Sequence, residues 1–185
     1  MSKKSHSSFK DPKVLVLLSL FAALSILFGK YLAIPGGDVL RFSFENLPIF
    51  LAALHFGPIA GILVGVLADL LGCLMVGYAI NPLVTLGAAA IGLVGGILPR
   101  LMPRKLPLLL RLSLSVTVAH IIGSVVIKTF GLAAYYSMPF FVLMLWRLLN
   151  YVIIAVLEIA LLFFISKNAA LSRQLRAFAK DSPML

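Results

Sequence analysis

The sequence predicts an all-α membrane protein with a bundle of about six transmembrane helices. Hydrophobic residues make up 62% of the 185 residues, charged residues make up 12%, and the mean hydropathy is +1.10. Soluble domains are about 45–50% apolar and about 25% charged, so lipid must cover much of this surface. Because a spanning helix needs roughly 20 apolar residues, the chain has room for about six helices and no separate soluble domain.

The distribution of basic residues predicts the orientation of these helices. Twelve of the 16 Lys and Arg residues lie before the first apolar run, around a Pro-rich connector, or after the last apolar run. They are Lys3, Lys4, Lys10, Lys13, Arg100, Arg104, Lys105, Arg111, Lys167, Arg173, Arg176 and Lys180. Positive residues concentrate on the cytoplasmic side of membranes, so both termini are expected there. The net charge of +10 then records topology and attraction to anionic lipid, and it does not indicate a nucleic-acid partner.

The helices are predicted from apolar runs and the turn residues between them. We expect a cytoplasmic tail over 1–13, a six-helix domain over 14–166 and a second cytoplasmic tail over 167–185. The predicted helices cover about 14–34, 44–56, 59–76, 81–101, 108–130 and 140–165. The second is short for a full span, so we expect it to be tilted or to begin earlier.

Small residues mark the helix faces that are expected to pack closely. Glycines recur every four residues from Gly57 to Gly65, and Gly92 and Gly96 follow the same spacing in the fourth helix. Small residues four apart let a neighbouring helix approach. A similar face on the first helix carries Ser19, Ala22 and Ala23. That face is a candidate docking surface for a partner helix, although packing within this chain would also explain it.

A polar set within and between the apolar runs marks a candidate binding site. The four remaining basic residues all fall on the predicted outer half, where positive charge is normally depleted. They are Lys30, Arg41, Lys128 and Arg147, with Asp38, Glu45 and Asp69 at similar depth and Tyr78, Asn81, Tyr135, Tyr136 and Asn150 around them. Cationic, amide and aromatic groups suit a ligand that has planar rings and a carboxylate. Alternatively, Arg147 with Asp69 and Lys128 with Tyr135 satisfy one another between helices.

Catalysis has little support in the sequence. The three histidines are isolated, and no HExxH, CxxC, nucleophile-elbow or GxxxxGK[ST] motif occurs. We therefore expect no enzyme activity, no cofactor and no metal site, and any ATPase must be another polypeptide. A membrane-embedded enzyme would need a clustered acid–base or metal set, and a proton-coupled carrier would rest on Asp69 and Glu158.

Four motifs stand out in the sequence: RFSFxxLP at 41–48, FGPxxGxxxGxxADxxG at 56–72, GYAINP at 77–82 and WRxxNY at 146–151. They resemble the substrate-binding S components of energy-coupling factor (ECF) transporters, and the folate family within them. The resemblance implies an outward pocket roofed by the loops after helices one, three and five, which captures a vitamin. It also implies docking on a transmembrane coupling subunit with two ATPase subunits. The docking motif of that family, AxxxA, has its nearest equivalent here in Ser19-x-x-x-Ala23.

The residues and this resemblance together predict a vitamin-binding subunit of an ATP-driven importer in the bacterial plasma membrane, and the resemblance implies folate as the vitamin. An S component for cobalamin or riboflavin and a stand-alone proton-coupled carrier are the alternatives. The residues predicted to bind the vitamin are Arg41, Asp69, Tyr78, Asn81, Lys128, Tyr135, Arg147 and Asn150.

Overall fold

The computed structural model describes residues 11–36, 41–103, 105–170 and 175. The sequence-based expectations for Asp38, for Arg104 and for most of both tails lie outside this part of the chain. Helix α1 (Pro12–Ile26) continues into a π-helical stretch, π1 (Leu27–Tyr31). A two-stranded antiparallel ribbon, β1 (Ile34–Pro35) and β2 (Arg41–Phe42), then leads into α2 (Asn46–Phe56).

Long helices form the rest of the described bundle. They are α3 (Pro58–Val76), α4 (Pro82–Leu101), a continuous helix made of α5 (Leu108–Ala119), π2 (His120–Ile127) and α6 (Lys128–Tyr136), and α7 (Phe140–Lys167). Within the described residues, five helices are long and apolar enough to cross a membrane. The sixth, α2, has 11 residues and is almost wholly buried among the others, which confirms the expectation that it is short for a span.

Local sequence determines where the helices begin and end. Asn81 caps α4 by accepting a hydrogen bond from the Leu83 N–H at 3.0 Å, and Pro82 occupies the first turn, where its missing N–H costs nothing. Gly77 ends α3 in the left-handed region with φ 72°, which glycine adopts without strain. These boundaries lie close to those predicted from the sequence.

The interface between α3 and α4 depends on glycines. A Cβ atom on Gly61 would lie 2.6 Å from the Ala53 Cβ and 2.9 Å from the Gly92 Cα. No side chain fits in such a space, so α2, α3 and α4 meet at backbone distance. This is the close packing that the four-residue spacing predicts. Two residues of that face, Asp69 and Cys73, lie farther along α3 and reach the cavities described below.

The predicted end of the fifth helix near residue 130, which leaves 131–139 as an outer connection, is wrong. The helix continues through Tyr136, and Ser137, with φ 54°, ends it. Gly131 does not break the helix because it packs against α4, where a Cβ would lie 2.7 Å from the Leu83 Cβ. Tyr135 and Tyr136 therefore lie on the last helical turn, and the connection to α7 is only three residues long.

The small face of α1 is divided between the core and the surface. Ala22 is buried in the main apolar core, whereas Ser19 and Ala23 are exposed. The Ser19 hydroxyl donates to the Leu15 carbonyl at 2.9 Å, within its own helix. Of the three residues predicted to dock a partner, Ser19 and Ala23 lie on an available surface.

Candidate functional site

Two adjoining cavities lie at the end of the bundle opposite the 102–107 connector. One has a volume of about 270 Å³ and lies among the end of α3, the start of α4 and α6. The other, of about 170 Å³, extends from it toward π1, β2 and α7. The residues that line both are Lys30, Asp69, Tyr78, Val84, Leu132 and Tyr136. Small-molecule sites typically have volumes of about 300–1,000 Å³, so the pair matches a small ligand.

The smaller cavity carries an excess of positive charge. Its described lining residues include four cations, Lys30, Arg41, Lys128 and Arg147, and two carboxylates, Glu45 and Asp69. These are the four basic residues that the sequence placed on the outer half. A ligand with one or two carboxylates would balance the charge excess.

Arg41 and Tyr78 meet at the mouth of the cavities. The Arg41 Nη2 donates to the Tyr78 hydroxyl oxygen at 2.6 Å, and its guanidinium carbon lies 5.1 Å from the ring centroid. This hydrogen bond lowers the pKa of the Tyr78 hydroxyl, and the charge of Arg41 adds to the effect. The Lys30 ammonium lies 5.6 Å from the same ring. Tyr78 thus connects the β1–β2 ribbon with the end of α3.

Asp69 is half-buried in α3 and faces α4. Its Oδ2 accepts a hydrogen bond from the Thr85 hydroxyl at 2.6 Å. The pairing of Asp69 with Arg147, considered from the sequence, is not the one that forms. Asp69 therefore contributes a carboxylate to both cavities while Thr85 holds it in place.

Lys128 forms an ion pair with Glu45, with 2.8 Å between the Lys128 Nζ and the Glu45 Oε1. The Lys128 ammonium, and more weakly Lys30 and Arg147, hold the pKa of Glu45 at about 2, although burial opposes this. Glu45 lies just before α2, so the pair fixes that turn against α6. Lys128 is buried, and the structure pairs it with Glu45 instead of Tyr135.

Arg147 lies on α7 and is 6% exposed. Its Nη2 donates to the Ser124 carbonyl at 3.0 Å, and its guanidinium carbon lies 5.3 Å from the Tyr151 ring centroid. No carboxylate within the described residues forms an ion pair with it. The guanidinium is therefore hydrogen-bonded to a carbonyl and not to a carboxylate, and it lines the adjoining cavity, where it can pair with an anionic ligand.

The other predicted residues divide between lining and support. Tyr135 lines the larger cavity, and its ring packs edge-on against Tyr136 at 5.1 Å. Asn81 lines the same cavity but also caps α4 and donates from Nδ2 to the Gly131 carbonyl at 2.9 Å. Asn150 lines neither cavity; its Nδ2 donates to the Arg41 carbonyl at 3.1 Å. It therefore ties β2 to α7.

Several cavity residues were absent from the predicted binding set. Lys30, Glu45 and Tyr136 line the cavities; they belong to the polar set that marked the candidate site, but not to the eight residues predicted to bind the vitamin. For Lys30, the clue was its charge within an apolar segment. Thr85 and Ser124 gave no such clue, since serine and threonine are common in membrane helices. In the part of the chain that the structure describes, no group of three or more His, Cys, Asp or Glu residues could hold a metal ion.

A helical membrane protein with a cationic, tyrosine-lined cavity at one end belongs to the class that binds small polar molecules at the membrane. The sequence model of the family described as "ECF transporter, substrate-specific component" matches residues 13–170. The chain therefore belongs to this family of transporter subunits. Curated proteins give no match.

Two solved structures share the fold. A structure of FolT bound with folic acid has a TM-score of 0.68 and 22% identity, and the match covers 83% of this chain and 92% of FolT. An S component of a bacterial ECF transporter has a TM-score of 0.59 and 20% identity, with 91% of this chain and 98% of the other covered. At these identities the likeness concerns the fold.

Proposed function

We propose that this chain is the vitamin-binding subunit of an ATP-driven ECF importer, and that its vitamin is folate. The observation that carries the proposal is the excess of cations in a cavity that adjoins a second, tyrosine-lined one. Folic acid joins a planar heterocycle to a tail with two carboxylates, so it presents the complementary chemistry. The fold that this chain shares with FolT, whose structure contains folic acid, supports the choice.

The two ends of folate would meet different parts of the site. Tyr78, Tyr135 and Tyr136 offer aromatic faces for the heterocycle, and the Asp69 carboxylate accepts hydrogen bonds from ring N–H groups. Arg147 and Arg41 offer planar N–H donors for the carboxylates, which arginine binds bidentately and lysine does not.

Transport would require other subunits. The sequence holds no nucleotide-binding loop, so ATP hydrolysis belongs to two ATPase subunits that act through a coupling subunit. The exposed Ser19 and Ala23 offer α1 a close approach to that subunit. The basic residues support a plasma-membrane orientation with both termini and the 102–107 connector in the cytoplasm, which turns the cavities outward.

Calorimetric titration of the detergent-solubilised protein tests the vitamin. We expect folic acid to bind one to one, and riboflavin and cobalamin to give no heat of binding. Removing one partner of a desolvated charged contact costs about 2–5 kcal/mol, so Arg147→Ala should weaken folate binding roughly 30-fold to several-thousand-fold. Arg41→Ala should weaken it less because Arg41 is exposed.

A control variant distinguishes loss of a binding contact from a general effect on the protein. Lys167→Ala removes an exposed cation at the far end of α7 and should leave the affinity unchanged. Unchanged affinity in both arginine variants would refute the proposed site. Binding of riboflavin or cobalamin in place of folate would refute folate as the vitamin. Folate uptake by vesicles that hold this chain alone would favour a proton-coupled carrier.

A further inference from the structure

A π-helical stretch makes the contact that holds Arg147. In π2, the N–H of Lys128 bonds to the carbonyl of Gly123, five residues back, whereas an α-helix would use the carbonyl of Ser124. The Ser124 carbonyl accepts instead from Arg147, at 3.0 Å from Nη2 and 3.4 Å from Nε, and from the Thr129 hydroxyl at 3.3 Å. The wider π-helical turn thus leaves the Ser124 carbonyl available to accept hydrogen bonds from the Arg147 guanidinium. Such π-bulges occur often at functional sites.

A buried polar chain continues from Ser124 away from the cavities. The Ser124 hydroxyl lies 3.2 Å from the His120 Nδ1, and the His120 Nε2 lies 2.6 Å from the Glu158 Oε2. The exposures of Ser124, His120 and Glu158 are 0%, 2% and 0%. None of the three lines either cavity. The chain therefore joins a cavity residue to a carboxylate deep in the bundle.

Aromatic contacts make a second connection between the same residues. The Tyr151 ring lies 4.9 Å from the His120 ring, between centroids, and 5.3 Å from the Arg147 guanidinium carbon. The Phe50 ring contacts His120 edge-on at 5.4 Å. Arg147 and His120 are thus linked both through Ser124 and through Tyr151, so a movement of the histidine would reach the arginine by two routes.

Burying the polar groups of Ser124, His120 and Glu158 costs free energy, which indicates that they do more than hold the helices together. A buried ion pair or hydrogen-bonded acid stabilises a bundle no better than apolar side chains of similar volume, and ionisable groups inside a membrane are costly. Glu158 and Arg147 lie on one face of α7, eleven residues or about 16 Å apart. The two side chains therefore bind helix α5–π2–α6 to α7 at two levels and fix its rotation about its axis.

We propose that His120 and Glu158 are positioning residues for the ligand, which act through Ser124 and Tyr151 to hold the Arg147 guanidinium at the cavity wall. This inference rests on the proposed function in one respect, because it takes Arg147 to contact the vitamin. It predicts that ligand affinity depends on a carboxylate that the ligand never touches.

Replacing Glu158 tests the proposal with folic acid as the probe. Glu158→Leu keeps most of the side-chain volume but removes the acceptor, so the protein should fold and bind folic acid about 2- to 30-fold more weakly, the range for residues in a coupling network. Glu158→Gln keeps an acceptor for His120 and should bind nearly as tightly as the wild type. Ser124→Ala removes the hydroxyl link alone and should weaken binding. The control is Ser115→Ala, since Ser115 is an equally buried serine on α5 whose hydroxyl donates to the Arg111 carbonyl.

A double-mutant cycle distinguishes positioning from general support. If Glu158 acts through Arg147, then Glu158→Leu should change the affinity little in a background that already carries Arg147→Ala. An equal loss in both backgrounds, or no loss in either, would overturn the proposal.

Hydrogen exchange of the unliganded proteins gives a result that does not depend on the vitamin. Glu158→Leu should speed amide exchange in 120–128 relative to the wild type and to Ser115→Ala, with α3 and α4 unchanged. Unchanged exchange in 120–128 would overturn the proposal even if folate proved not to be the ligand. If the wild type bound no folic acid while exchange in 120–128 rose as expected, the proposed vitamin would fail, whereas the link from Glu158 to the segment that holds Arg147 would stand.

Discussion

Replacing Glu45 by glutamine should destabilise the protein by leaving Lys128 buried without a carboxylate. The two side chains are 2.8 Å apart, with exposures of 26% for Glu45 and 6% for Lys128. The fall in the pKa of Glu45 from 4.5 to about 2 corresponds to roughly 3 kcal/mol at about 1.4 kcal/mol per unit. Breaking a buried pair typically costs about 3–5 kcal/mol. Both routes lead to an expected loss of roughly 3 kcal/mol in the free energy of unfolding at pH 7.

The same pair predicts how stability depends on pH. Because folding lowers the pKa of Glu45, its contribution is complete above the unfolded value of about 4.5 and disappears as the pH falls toward about 2. The wild type should therefore lose this stability between those values, and Glu45→Gln should lack that part of the slope. Unfolding of the detergent-solubilised protein by added denaturing detergent, at pH 7 and at pH 3, measures both effects.

A double variant provides the control for this reasoning. Glu45→Gln with Lys128→Met removes both charges and leaves no buried charge without a partner, so most of the lost stability should return. If Glu45→Gln alone were within about 0.5 kcal/mol of the wild type, the ion pair would not support the fold as argued.

Three further outcomes are expected. In a Cys73→Ala background, a membrane-impermeant thiol reagent applied to intact cells should label a cysteine at Tyr136 and leave one at Lys105 unlabelled; the reverse pattern would overturn the orientation. Ala23→Leu adds bulk to the exposed face of α1, so it should impair uptake by the assembled transporter while the isolated subunit binds folate normally; lost binding would place that face inside the chain. Gly92→Leu should prevent folding or lower the melting temperature sharply, because a Cβ there would overlap the backbone of α3; a fully stable variant, measured by thermal unfolding in detergent, would contradict the backbone contact.

Helix positions were predictable where the sequence carries its own boundary. Asn81-Pro82 determines the start of α4, because the Asn81 side chain caps the helix and Pro82 has a fixed φ; both effects are local. The end of α6 was not predictable in this way. Glycine is common at helix ends, but Gly131 lies within the helix, where it packs against Leu83, 48 positions earlier. The π-helical stretches were also hidden, because a uniformly apolar run has little periodicity to reveal a change of pitch.

The sequence predicted which residues form the candidate site much better than it predicted which side chains pair with each other. Charges inside apolar segments are costly enough to mark a site, which singled out Asp69 and Arg147, and positive charge on the predicted outer side singled out Arg41. All three line the smaller cavity. Partners depend on how each helix is rotated, which the sequence alone does not give. The ion pair between Lys128 and Glu45 joins residues 83 positions apart in the sequence, and no local pattern indicates such a pair.

The measurement that tests the central claim most directly is the mass of the intact protein and its bound ligand after gentle purification from cells supplied with folate. We expect the wild-type protein to carry one folate molecule per chain, Arg147→Ala to carry much less, and Lys167→Ala to carry one. Wild-type protein that emerges empty, or an Arg147→Ala variant that retains folate as fully as the wild type does, would contradict the proposed function.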